Sequence, residues 1–198
     1  MSSMKQAFGS FSGHKAWQWN KEESAVQLAH LLERLWEQGL AKEQLRDVLR
    51  CQTGGRFELA DAAEMRATGQ LALRMDLIDY HSTSVLRGHL RELFTPLRLS
   101  SAWMDDMELA VGEVAGNTIK HAEGGWCEIY TATKQLTVRI GDSGPGIHFA
   151  HIRKSLSVPG FSTKESLGLG YTLILSLVDM VWLATGPEGT TLQLCKYI

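Results

Sequence analysis

The sequence predicts an α/β fold, a two-layer sandwich in which helices cover one face of a mixed, mostly antiparallel sheet. Three observations predict it. Apolar residues recur at helical spacing in two neighbouring stretches, Val85, Leu86, Leu90, Leu93, Phe94 and then Trp103, Met107, Ala110, Val111, Val114. The segment Gln70-Leu71-Ala72-Leu73-Arg74-Met75 instead alternates apolar and polar with period two, as a half-buried strand does. Finally, the elements follow the order helix, helix, strands, loop, helix, strands, which stacks helices against one sheet.

Each element has its own signal. Residues 1–20 lack periodicity and read as a loose lead-in. From Lys21 an apolar face of Ala25, Leu28, Ala29, Leu32, Leu35 and Trp36 predicts a helix ended by Gly39. Leu45, Val48 and Leu49 mark a shorter second helix that stops near Gly54-Gly55. This hairpin either packs its stripe on the body or offers it to a partner. The strand at 70–75 follows, then a helix closed by Pro96. Ser100 or Ser101 caps a long helix reaching about His121. Strands at Cys127–Thr131 and Leu136–Ile140 flank a short turn, and residues 141–168 are polar and glycine-rich. A helix at Tyr171–Asp179 and strands at Val181–Thr185 and Thr190–Lys196 complete the chain.

Composition narrows the class. With 44% hydrophobic residues and only 4 prolines among 198 residues, the chain can bury a core, which excludes a disordered or collagen-like protein. A net charge of −2 carries no basic excess for a nucleic-acid binder. Cys51, Cys127 and Cys195 are widely spaced, with no C-x-x-C pair for zinc and no disulfide framework. The most apolar segment, Leu173 to Ala184, is broken by Ser176 and Asp179 and too short to cross a bilayer. Without a signal-like start, the expected compartment is the cytoplasm, with no membrane partner.

Four short segments carry chemistry. Glu113 and Asn117 lie four apart on the long helix and share a face, with Lys120 and His121 one turn further on. That face is either merely solvated or a carboxylate–amide–ammonium set able to hold hydrated magnesium and phosphates. Asp142-Ser-Gly144-Pro-Gly146 follows a strand directly, so its glycines permit a tight turn approaching a flat ligand. Gly168-Leu169-Gly170 opens a helix, where free N–H groups attract anions. Gly189-Thr190-Thr191 begins the last strand with two hydroxyls. Singly, each is an ordinary turn, helix start or strand.

In this order the four resemble the motifs of the GHKL superfamily, which includes histidine kinases, gyrase B, Hsp90-type chaperones and MutL-type repair proteins. GEVAGNTIKHA (112–122) is similar to the N box, GDSGPGI (141–147) to the G1 box and SLGLGYTLILSLVD (166–179) to the G2 box. GTTLQLCKYI (189–198) is similar to the C-terminal strand of compact anti-sigma-factor and stressosome switch serine/threonine kinases. The likeness covers residues 69–198 and implies a Bergerat ATP-binding domain there, with residues 1–68 as an N-terminal extension.

The resemblance also implies roles. Glu113 would be the general base, and Asn117 would ligate the Mg²⁺ that bridges the phosphates of ATP. Lys120 and His121 would lie near those phosphates. Asp142 would accept the adenine amino group, Gly144 and Gly146 would make room for the ring, and Thr190 or Thr191 would add a water-linked adenine contact. Ile147 would begin a lid running to Leu167, and Gly168, Leu169 and Gly170 would end it, with Lys154 and Lys164 either on phosphate or in solvent. The implied activity is phosphorylation or sequestration of a protein partner, of the STAS-antagonist or sigma-factor kind, by a chain able to form a homodimer.

A non-catalytic, nucleotide-gated binding module is the rival, and a histidine-kinase catalytic domain is a third reading that lacks an H box. No Walker A run, H-R-D or D-F-G is present. His89 and Pro96 are too far apart for a phospho-acceptor box, His30 lacks one altogether, and His148 and His151 lack a third metal ligand. Tyr171 departs from the small or aliphatic residue of the compact kinases, which bears on lid closure.

Overall fold

A computed structural model of the chain describes residues 42–147, 152 and 170–198. In order, its elements are α1 (Lys42–Gln52), β1 (Phe57–Leu59), β2 (Gln70–Leu77), α2 (Tyr80–Phe94), a short 3₁₀ turn (Thr95–Leu97) and α3 (Ser101–Ala122). Then come β3 (Gly125–Ala132), β4 (Gln135–Gly141), α4 (Gly170–Leu177), β5 (Met180–Gly186) and β6 (Gly189–Tyr197). The expected lead-in, the first helix of the hairpin and most of the lid loop lie outside the described residues.

Six strands form one sheet in the order β1-β5-β6-β4-β3-β2. Only β1 and β5 run parallel; the other four pairings are antiparallel. The two-layer α/β sandwich with a mixed, mostly antiparallel sheet is thus the fold. Leu192, Ile140 and Cys127 stand opposite one another on adjacent strands, as do Leu194, Val138 and Ile129, so one face of the sheet is an apolar carpet. Leu86, Leu90 and Phe94 of α2 and Met107, Val111 and Val114 of α3 share one buried cluster with it.

Local chemistry sets where the helices begin. Asp79 and Ser82 form a reciprocal capping box at the start of α2, and Ser100 Oγ accepts the Trp103 N–H at the start of α3. Arg91 then grips the buried Glu108 with two hydrogen bonds of 2.6 Å, fixing α2 against α3. No helix among the described residues is long and apolar enough to cross a membrane.

The structure corrects the expectation that the sheet begins near Gly69. Phe57–Leu59 add the parallel edge strand β1, too short for a periodicity to register. Leu49, Phe57 and Leu59 are fully buried in the main core, so α1 and β1 belong to the same body as the strands after Gly69. Lys42, Arg46 and Arg50, spaced four apart on α1, pair with Asp61, Glu64 and Glu58. Lys42 holds the Asp61 carboxyl below the usual carboxylate range, while the Asp61 N–H and then Arg46 do the same for Glu64. Arg56, just ahead of β1, donates to the carbonyls of Leu175, Val178 and Asp179 at the end of α4.

Candidate functional site

The site is built at one end of the sheet, where α3 ends, β4 ends and β6 begins. A cavity of about 300 Å³ lies there between α3, α4 and the sheet. Its apolar walls come from Ile140, Leu192, Val114, Ile147, Ile174 and Tyr171, and its polar groups from Asn117, Thr118, His121, Asp142 and Thr190. Few polar groups in a mainly apolar cleft is the usual build of a small-molecule site.

Asp142 is fixed by the strand junction. Its Oδ1 accepts the N–H of Gly144 at 2.9 Å and that of Thr190 at 3.1 Å, and its own N–H donates to Thr190 O at 2.8 Å. The second carboxylate oxygen has no hydrogen-bond partner among the described residues. The loop after Asp142 needs its glycines. Gly146 has φ +78, and a Cβ there would strike the Gly186 carbonyl. At Gly144 a Cβ would come within 2.8 Å of the Ala122 Cβ on α3. Ile147 N–H donates to Thr185 Oγ1 at 2.7 Å, and that hydroxyl lies 3.0 Å from Thr190 Oγ1, so the loop is laced to β5 and β6.

Across the cavity, α3 presents Asn117, with His121 one turn on. Asn117 Nδ2 donates to Glu113 Oε1 at 3.2 Å, which leaves the carboxamide oxygen as an acceptor. Glu113 does not line the cavity; it is half-buried one turn before Asn117 on α3. Lys120 is exposed beside this face and makes a contact of its own.

Of the residues singled out from the sequence, Asn117, His121, Asp142, Gly146, Ile147 and Thr190 come together at this cavity. Thr191 does not: strand alternation turns it to the opposite face of β6 from Thr190 and Leu192. Gly170 opens α4, while Gly168, Leu169, Lys154, Lys164, His148 and His151 lie outside the described residues. Two residues were missed as a pair. Tyr171 lines the cavity, is buried, and meets the ring of Phe57 edge-on at 5.7 Å. Burial, with the Asp142 charge added, pushes the Tyr171 phenol well above its ordinary range, so it stays a neutral hydrogen-bonding group. The F-E-L triplet at 57–59, apolar on both sides of Glu58, was the only available signal for Phe57.

A family model of the histidine kinase-like ATPase domain matches residues 79–196, more than half of the chain. The chain belongs to this family. The matched residues of this histidine kinase-like ATPase domain run from the cap of α2 to the end of β6 and take in the whole cavity wall except Phe57's support behind Tyr171.

Curated protein sequences give no match. Among solved structures, the domain is similar to the RsbU and RsbW domains of a Mycobacterium tuberculosis protein, with 16% identity and a TM-score of 0.45, over 63% of this chain and 32% of that one. It is similar to the SiaB–SiaC complex from Pseudomonas aeruginosa, with 13% identity and a TM-score of 0.47, over 65% and 90% of the two chains. It is also similar to the histidine kinase domain of a blue-light-activated kinase from Erythrobacter litoralis, with 14% identity and a TM-score of 0.38, over 89% and 94%. This chain therefore spans about a third of the Mycobacterium chain.

Proposed function

We propose that the chain is an ATP-dependent regulatory protein kinase that transfers the γ-phosphoryl group to a serine or threonine hydroxyl of a partner protein. The observation carrying this reading is one cavity with the Asp142 carboxylate on its strand side and Asn117, hydrogen-bonded to Glu113 behind the lining, on its helix side. Asp142 keeps one oxygen for an adenine amino group, between apolar walls suited to a flat ring. Thr190 stands beside it, and Gly144 and Gly146 let the backbone close in.

Magnesium fits the donor set. The Asn117 carboxamide oxygen is oriented by Glu113, and Mg²⁺ takes few protein oxygens, the rest being phosphate and water. Bound there, it would neutralise charge on the phosphates. Glu113 accepts the proton of the attacking hydroxyl, whose oxygen bonds to the γ-phosphorus as the bond to the ADP oxygen breaks. His121 and Lys120 supply donors on the phosphate side. By motif resemblance the partner is an antagonist of the STAS type or a sigma factor, met in the cytoplasm.

Calorimetry of Mg-ATP on the native chain and on Asn117→Ala and Asp142→Asn tests the reading. Both variants are expected to lose affinity by about 30-fold or more, the cost of one buried charged or metal-linked contact. Native protein that fails to bind adenine nucleotide would sink the proposal. Tight binding with no transfer of labelled phosphate to any serine or threonine partner leaves the nucleotide-gated binding module in its place.

A further inference from the structure

Residues 60–69 carry the chain from β1 at one edge of the sheet to β2 at the other. They cross on the face opposite α2 and α3: Ala60 and Met65 pack with Ala184 and Trp182 in a cluster of their own, apart from the main core. A second cavity, of about 280 Å³, lies between this crossing segment and the sheet. Glu64 and Arg66 line it from the segment, and Trp182, Gln193 and Cys195 line it from the strands. Strand alternation turns those three away from Leu183, Leu192 and Leu194, which face the main core. The cavity sits toward the Gln135–Tyr197 end of β4 and β6, whereas Asp142 follows the Gly141–Thr191 end. The two cavities therefore occupy opposite faces and opposite ends of one sheet.

We propose that this second cavity binds a small molecule of one chemical kind, a flat ring that carries an N–H and an acidic substituent. Gln193 sets the first requirement. It is 4% exposed, and its Nε2 donates to Arg66 O at 3.5 Å and to Cys195 Sγ at 3.7 Å. Those contacts fix which end of the carboxamide is nitrogen, and they leave Oε1 buried with no hydrogen-bond partner. An orphaned buried acceptor is costly, and an N–H offered from the cavity removes that cost. Trp182 sets the second requirement: its half-buried indole lines the same cavity and gives a flat ring a face to pack on. Charge sets the third. Glu64 is already answered by Arg46 and by the Asp61 N–H. The Arg66 guanidinium is exposed, with no hydrogen-bond or ion-pair partner among the described residues. Its planar fork suits a carboxylate or phosphate at the cavity mouth.

Calorimetry on the full chain tests the site, with orotate and indole-3-acetate as probes. At least one is expected to bind with a Kd below about 1 mM, and its counterpart without the acid, uracil or indole, at least about tenfold more weakly. Arg66→Gln, at an exposed position, and Gln193→Met, which keeps the volume and removes the acceptor, are each expected to weaken binding about tenfold. Thermal melting of each variant checks that it is folded. Saturating Mg-ATP is expected to leave probe affinity within about threefold, because the cavity lies across the sheet from Asp142; a probe seated in the first cavity would be displaced. Failure of both probes to bind, which leaves water as the occupant, would overturn the proposal. So would binding indifferent to Arg66→Gln in the folded variant, or displacement of the probe by Mg-ATP.

Discussion

Asn117 donates its side-chain N–H to the Glu113 carboxylate across one turn of α3, Nδ2 to Oε1 at 3.2 Å. The bond decides which way the carboxamide faces: nitrogen back toward Glu113, oxygen forward. On the proposed mechanism, one carboxylate has two tasks, orienting the oxygen ligand and serving as base.

Those tasks separate by substitution. Glu113→Gln keeps a hydrogen-bonding partner for Asn117 but cannot take a proton. Mg-ATP affinity is expected to stay within about threefold, while phosphoryl transfer falls about 10²–10⁴-fold, the usual span of a lost general base. Single-turnover transfer alongside calorimetry reads both. Equal loss of the two would make Glu113 a structural residue alone.

Gly146→Ala is expected to damage the site from the backbone outward. The added methyl meets the Gly186 carbonyl at a positive φ that alanine rarely adopts. The loop must move, so stability falls by about 1–2 kcal/mol and Mg-ATP affinity by about tenfold or more. Melting and nucleotide titration of the same preparation check it.

Phe57 and Tyr171 are expected to act as a pair. Phe57→Ala lies well outside the four motifs, yet it removes the ring behind a cavity wall. Either Phe57→Ala or Tyr171→Ala should cost about 3 kcal/mol, and the double variant about 1 kcal/mol less than their sum. A double-mutant cycle in urea measures this, and nucleotide affinity should fall in both single variants.

Burial pushes the Cys127 thiol up to about 12, from an ordinary value of 9.0. The unfolded chain loses this proton first, so it binds fewer protons than the native state at alkaline pH. The contribution is intact below pH about 9 and drains away as pH rises from there toward 12; Tyr171 adds to the same trend higher up. Denaturant melts from pH 8 to 11 are expected to show falling stability, less steep in Cys127→Val. Under native conditions a thiol reagent should modify the exposed Cys51 and spare the buried Cys127 and Cys195.

Much of the fold was legible because its elements are long and repeat. The stripe from Trp103 to Val114 needs a helix, the alternation at 70–75 needs a strand, and Ser100 caps where a capping residue was expected. Part of the cavity lining was legible as motifs, since Asp142 and Gly146 fall within five residues of one turn. β1 was not legible. Three residues cannot display a period, and the parallel partner that turns Phe57–Leu59 into a strand lies over a hundred residues away in β5.

The sequence by itself determined the order of the helices and strands from β2 onward, the family and the short-range chemistry of each motif, all properties of residues within a few positions of one another. Tertiary structure decided the rest. It joined Phe57 to Tyr171, turned Thr190 toward the cavity and Thr191 away, and carried α1 and β1 into the core that begins to repeat only after Gly69. Each of these depends on which strands become neighbours, and burial of the shared apolar face of the whole sheet sets that, not any local stretch of chain.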